Sequence, residues 1–521
     1  MNQYNPIPRH SPSTLLDVTV ASKETLKGEL YSLLKMPDFG GKEPLLFTLV
    51  NNLLEELEDD ISFLIEFFYI DRHYRDTYYS FFSSKFKSID RECIRVHIFN
   101  KMVNKDDVFN KAANLSENYL GFFIIRPLKL HMLGRSLISP KAYKNNKFVC
   151  CLMKERVSLF GKELVVYGFP QIAQDEETHT CAESTLWCLY EYYGSNYPQY
   201  RQLLPSQIIE LLQSSAERQI LPSKGLNKNE LARCLNSNGF QSIVYPISSK
   251  FPGILFYNLL NIYIESGIPL LLILYGKMGG HAVLVVGHEE DDDIYYKQNE
   301  NNPWAKYDDS YWADVSLMQK KLVFIDDNKP PYYISSLKSY INSEGKTALT
   351  YRDYDVNSFI VPLPAHMFLV AETVLDLLWL IFNNPYIGFE KRKEKKITRL
   401  LLTSSYSFKK FIFEHENKMD PDFKQVFLRL PLPKYIWLCE IYNKHEFVKD
   451  GYCTGLVIID ATSDGRSLSS VLFYMLDENK YFHNNFDWNE KPVKTTSFKM
   501  QTYRNNLKGE WSQWTTNLKP A

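Results

Sequence analysis

Apolar positions along this chain follow two rhythms, and the switches between them divide it. Leu, Ile and Phe recur at helical spacing over Glu24–Met36 and Pro44–Ile70, with acids between them. That spacing predicts helices, and Pro44 suits a first helical turn, where its missing N–H costs nothing. Cys93–Phe99 and Tyr119–Arg126 predict strands, the second stopped by Pro127. Phe148–Met153 and Glu163–Tyr167 predict a hairpin turning near Phe160–Lys162. Residues 1–168 therefore read as helices followed by strands, an α+β region with no catalytic spacing.

A helix over 181–193 opens the next region, with Leu186, Leu189, Tyr190 and Tyr193 on one side. Two more follow, Pro205–Ser214 and Asn227–Ser237. Strands are predicted at Gln241–Val244, Leu270–Tyr275, His281–Gly287 and Lys321–Ile325. The polar excursion 289–319 between the last two is a solvated loop or a substrate rim. After Pro330-Pro331 the pattern predicts a helix over Ala365–Phe382. The charge run 390–396 is then an exposed helix face, and Val426–Ile441, Gly455–Ile459 and Ser470–Met475 are strands. The expected organisation is three α+β regions: 1–168, 169–340 and 341–521.

Composition narrows the function classes. At 521 residues the chain exceeds what one core serves, and 45% apolar residues suffice for several. A net charge of -1 points to no nucleic-acid or anionic-membrane partner. The N-terminus lacks an apolar signal core, and no apolar run approaches the ~20 residues of a membrane span. The eight cysteines are scattered without a CxxC pair, which favours reduced thiols and a cytoplasmic location. No glycine pattern for a nucleotide occurs. His179 and Cys181 stand two apart, but no paired ligand set follows at zinc spacing, so neither a metal nor a cofactor is expected.

Candidate chemistry centres on QDEETHTCAESTLWCLYEYY, 174–193. Cys181 falls where a polar loop becomes a helix. The thiolate is the reactive form of a cysteine, and unpaired N–H groups at a helix start favour it. Those amides also suit the oxyanion formed when a carbonyl is attacked. Gln174 is the upstream side-chain amide best placed to add a donor, with Gln171 weaker. Thr178 and Thr180 offer caps. His281 heads an apolar strand after Met278-Gly279-Gly280 and is the expected base. His288, seven residues on, faces the other side of a regular strand. The acid that orients the imidazole is expected from the next strand. Asp326 continues the apolar run of that strand and is preferred over Asp327. Cys188 and Cys234 lie inside helical patterns and read as core residues.

TCAESTLWCLYEYYG, SGIPLLLIL…GGHAVLVVGH and VFIDDNKPPY together resemble the papain-like cysteine peptidase superfamily. The likeness is strongest to its bacteriocin-processing branch and covers about residues 169–340. It implies a helix bundle carrying the Cys, packed on an antiparallel sheet carrying the His and Asp. It also implies nucleophile Cys181, base His281, orienting Asp326 and oxyanion donor Gln174, acting on a peptide or protein as a peptidase or isopeptidase. Two alternatives stay open. One is an acyltransferase of transglutaminase type using the same residues. The other is an inactive papain-like domain inside an interaction protein.

Overall fold

A computed structural model describes residues 18–34, 44–85, 89–110, 113–128, 132–175, 177–178, 180–214, 226–248, 250–251, 253–277, 279–290, 312–318, 320–342, 347–384, 396–415, 419–443, 451–464, 468–477, 480–483, 491–492 and 498–508. The fold is α+β, as the sequence predicts, and is built on three large sheets. His179, most of the excursion 289–319 and most of the charge run 390–396 lie outside the described residues.

The first sheet runs Thr19–Ser22, Ser62–Tyr69, Cys93–Phe99, Tyr119–Arg126, Met132–Ile138, Lys162–Ile172, Met153–Leu159, all antiparallel. Two expectations need correction here. The helical reading of Pro44–Ile70 holds only to Glu56, because Ser62–Tyr69 is a strand. Its run SFLIEFFY has no alternation, since its first half is buried on both faces, and a short apolar run does not separate strand from helix. The hairpin is Met153–Leu159 with Lys162–Ile172, and Phe148–Cys150 leaves for another sheet.

That second, central sheet has the order Tyr333–Ser335, Leu322–Ile325, Gly279–Glu289, Leu270–Gly276, Tyr354–Pro364, Thr347–Tyr351, Lys338–Ile341. Phe148–Cys150 also pairs with Gly279–Glu289, and Phe240–Pro246 with Tyr354–Pro364. The sheet thus extends to Pro364, past the expected boundary at 340, and Tyr354–Pro364 is an interior strand of it. The helix Cys181–Asn196 packs between the first two sheets. Its buried residues run unbroken from Ala182 to Tyr193, polar Glu183, Ser184, Thr185 and Glu191 included, so it is enclosed on every side rather than on one. The cores of these two units are continuous.

Gly287 shows how closely its strand approaches the paired strand Phe148–Cys150. A Cβ there would stand 2.0 Å from the Val149 carbonyl oxygen and 2.6 Å from Cys150 Cα, both backbone atoms that cannot yield. Gly287→Ala is expected to destabilise the protein by about 1–3 kcal/mol, read as a lower urea midpoint.

The third sheet runs Trp312–Asp314, Lys396–Ser404, Tyr435–Asn443, Gly455–Asp460, Val471–Asp477, Lys480–His483, Lys491–Pro492, with only its first pair parallel. Alternation along Lys396–Ser404 sends Leu400 and Leu402 into the central core and Leu401 into a second core. Helices Ser405–His415 and Pro421–Arg429 cover that second core. Pro421–Arg429 replaces the first part of the strand expected over Val426–Ile441.

Buried charges tie the third sheet to the central one. Arg399, on the third sheet, donates through Nε to Glu265 at 2.8 Å and through Nη1 to Glu440 at 2.6 Å. Glu265 ends the buried helix Gly253–Glu265 and also meets His288 Nε2 at 3.0 Å. Late residues of the chain close the assembly. Asn506 donates to the Glu265 carbonyl at 2.7 Å, and Lys508 exchanges backbone hydrogen bonds with Cys150. No helix among the described residues is long and apolar enough to cross a membrane.

Candidate active site

The lead into the Cys181 helix is ordered by one carboxylate. Asp175 Oδ1 accepts from the Glu177 and Thr178 N–H groups at 3.0 and 2.7 Å, and Oδ2 from the Thr178 hydroxyl at 2.7 Å. Arg126 of the first sheet donates to the same Oδ2 at 3.1 Å. Thr178 is therefore spent inside the loop, and Thr180 is the residue that caps the helix. Its N–H donates to Glu183 Oε2 at 3.1 Å, and the two form a capping box. Cys181 is the first helical residue. All eight cysteines are free, and Cys181 is the only one not buried.

His281 and Asp326 come together on neighbouring strands. Leu284 pairs with Ile325 in the antiparallel register. Continuing that register sets Asp326 opposite Val283, which shares a face with His281. The observed contact agrees: His281 Nε2 stands 3.1 Å from Asp326 Oδ1. Cys181 is close enough to contribute, with Asp326, to the electrostatics of the ring. His288 faces away, toward Glu265.

Electrostatics follow from this packing. Burial alone would pull the His281 pKa down, but hydrogen bonds and charge from Asp326 and Cys181 outweigh it and raise it to about 10. Burial would raise the Asp326 carboxyl, and His281, the Asn328 N–H and the Tyr351 hydroxyl together hold it below its ordinary value. Asp327 differs. Its Oδ1 is 4.0 Å from His281 Nε2, its Oδ2 is buried without a partner, and burial pushes its carboxyl up to about 7. Asp326 thus makes the contact expected of it, with Asp327 beside it. Donor atoms of His281, Asp326 and Asp327 lie within 4.8 Å of one another, near enough to share a cation.

The two glutamines separate. Gln171 is 6% exposed, and its amide nitrogen donates to the Asp326 and Lys329 carbonyls, both at 2.9 Å. It fixes the turn that bears Asp326 and has no hydrogen aimed at an oxyanion. Gln174 is half-buried on the lead loop, and its Nε2 donates to Asn328 Oδ1 at 3.3 Å. That places its amide at the rim of the site.

Three further residues reach the site from beyond residue 340. Tyr351 donates to Asp326 Oδ2 at 2.9 Å, Arg352 Nη1 lies 3.9 Å from the same oxygen, and the Tyr354 ring lies 5.4 Å from the His281 ring. Nothing in YRDY marks them locally. Only the return of Tyr354–Pro364 beside Leu270–Gly276 brings them in.

The chain matches no protein-family model and no curated protein.

Proposed function

We propose that this protein is a papain-like cysteine hydrolase of peptide or protein substrates, with Cys181 as nucleophile, His281 as general base and acid, and Asp326 as the residue that orients the imidazole. The observation that carries this reading is the 3.1 Å His281–Asp326 contact together with the one cysteine that is not buried and is set at a helix start.

Asp326 holds Nε2, which leaves Nδ1 for the sulfur. In the reaction the sulfur attacks an amide carbonyl carbon and the carbonyl oxygen takes up negative charge. N–H groups in the first turn of the helix lie where that charge develops, and Gln174 adds a side-chain donor once it leaves Asn328. Collapse breaks the C–N bond, and the imidazolium gives its proton to the leaving amine. His281 then takes a proton from water, whose oxygen attacks the thioester and releases the acid and the thiol. An amine in place of water would make the same acyl-enzyme an acyl donor. The free state of all eight thiols accords with a reducing compartment such as the cytoplasm.

The test is limiting iodoacetamide followed by peptide mapping. Cys181 is expected to be alkylated ahead of the seven buried thiols, and the rate to be unchanged by EDTA. Labelling spread over several cysteines, or none at Cys181, sinks the proposal. A metal at His281, Asp326 and Asp327 would instead show as EDTA sensitivity. Offering water or an amine to a trapped acyl-enzyme separates hydrolysis from transfer.

A further inference from the structure

The turn that joins Thr347–Tyr351 to Tyr354–Pro364 lies against the side of the His281–Asp326 pair, and its chemistry is not that of an ordinary hairpin tip. The strands pair as Thr350 with Asp355 and Tyr351 with Tyr354, so Arg352 and Asp353 form a two-residue loop. Such loops need a left-handed residue, a place taken by Gly, Asn or Asp at low cost. Here it is Arg352, at φ +53°. A non-glycine residue with that backbone carries strain, and strain of this kind persists where the surroundings over-determine it.

The surroundings do so through three residues. Tyr351 is fully buried, lies 4.5 Å from the Phe324 ring, and donates to Asp326 Oδ2 at 2.9 Å. Burial keeps its phenol protonated far above the ordinary range, so it remains a donor. Arg352 brings its guanidinium to 3.9 Å from the same oxygen. Tyr354 lays its ring beside that of His281, with the planes 37° apart. Gly276 makes room for it: a Cβ there would stand 2.7 Å from Tyr354 Cδ1. Asp326 therefore has one oxygen on His281 and the Asn328 N–H, and the other on the turn.

We propose that the turn Tyr351–Tyr354 is a clamp that fixes the His281–Asp326 pair, with Tyr351, Arg352 and Tyr354 as positioning residues and the strained Arg352 backbone maintained for that contact. The proposal rests on the cysteine-hydrolase reading and assigns part of its machinery to a segment outside the region of family resemblance. Without the Tyr351 O–H, Asp326 Oδ2 keeps, among the described residues, only the Arg352 guanidinium, at 3.9 Å, and the carboxylate that faces the imidazole is less firmly fixed. Alkylation of Cys181 then slows most at low pH, where the thiol depends most on an oriented imidazole.

The experiment is the rate of Cys181 alkylation by iodoacetamide at pH 6 and pH 9 in the full chain, for the parent, Tyr351→Phe and Arg352→Gly. Tyr351→Phe removes one O–H and no volume. Arg352→Gly removes the guanidinium and relieves the backbone. Both are expected to fold, with Tm for Arg352→Gly no lower than the parent's. In both, the ratio of the pH 6 rate to the pH 9 rate should fall roughly threefold to tenfold. A turn that matters only to the fold would move Tm and leave this ratio alone, so an unchanged ratio in both variants overturns the clamp. A fall in Tyr351→Phe alone overturns the part given to Arg352. If Cys181 of the parent does not outpace the other thiols, the hydrolase reading has failed, which is a different result from failure of the clamp.

Discussion

Replacing His281 with alanine is expected to slow iodoacetamide modification of Cys181 at pH 6 by on the order of tenfold or more. In the proposed mechanism the thiolate is the reacting species and a neighbouring imidazolium sustains it. Asp326→Asn should slow it less, because the ring stays in place and loses only its oriented anionic partner. The same substitutions carry a stability signature. His281 has its pKa raised from the ordinary 6.5 to about 10 in the folded state. A raised pKa means that the folded protein holds this proton more tightly than the unfolded chain. The stabilisation is complete below about 6.5 and is lost as pH rises through about 10. Urea midpoints measured between pH 6 and 10 should decline in the parent, and His281→Ala should flatten the decline. A parallel decline in the variant would show that the ring is not the group responsible.

Replacing Arg399 with methionine is expected to cost about 3–5 kcal/mol, the largest stability loss of any single change considered. The guanidinium serves two carboxylates at once. Glu440 has no exposure and would keep only the Tyr442 hydroxyl and the Tyr503 N–H as partners. Removing one member of a buried charge network leaves the others uncompensated, which costs more than the pair ever contributes. Burial would push the Glu265 carboxyl up, but Arg399, Lys320 and His288 hold it well below its ordinary 4.5. That contribution is present above about 4.5 and is lost as pH falls through the lower folded value. Urea unfolding of Arg399→Met and of Arg399→Met with Glu440→Leu measures the cost. The double variant should recover part of the loss, and no recovery would show that stranded charge is not its origin.

Local pattern carried much of the site. Cys181 at a helix start, His281 heading a strand and Asp326 ending the next are each visible in a few residues, and their strands are neighbours. Other features depend on pairings distant in sequence. Gln171 and Gln174 look alike beside the helix, and only the turn Asp326–Lys329 decides which of them is tied down. Tyr351 reaches Asp326 through a strand whose partners were made some eighty residues earlier, at Leu270–Gly276. The helix Gly253–Glu265 escaped notice because its polar face, Asn258, Asn261 and Glu265, is itself buried and is sparse within a long apolar run. Ser62–Tyr69 deceived for a related reason: burial on both faces erases the alternation that marks a strand.

The interior place of Tyr354–Pro364 sets an order of events during synthesis. Cys181 and His281 leave the ribosome well before the strand that completes their sheet, and Lys508, which closes onto Cys150, comes later still. At roughly 5–20 residues per second the nascent chain waits on the order of tens of seconds between the thiol and the last of these partners. Until Tyr354–Pro364 has emerged, Asp326 lacks Tyr351, and the sheet edge at Leu270–Gly276 stands open. The unfinished chain therefore carries Cys181 well before the frame around the His281–Asp326 pair is complete.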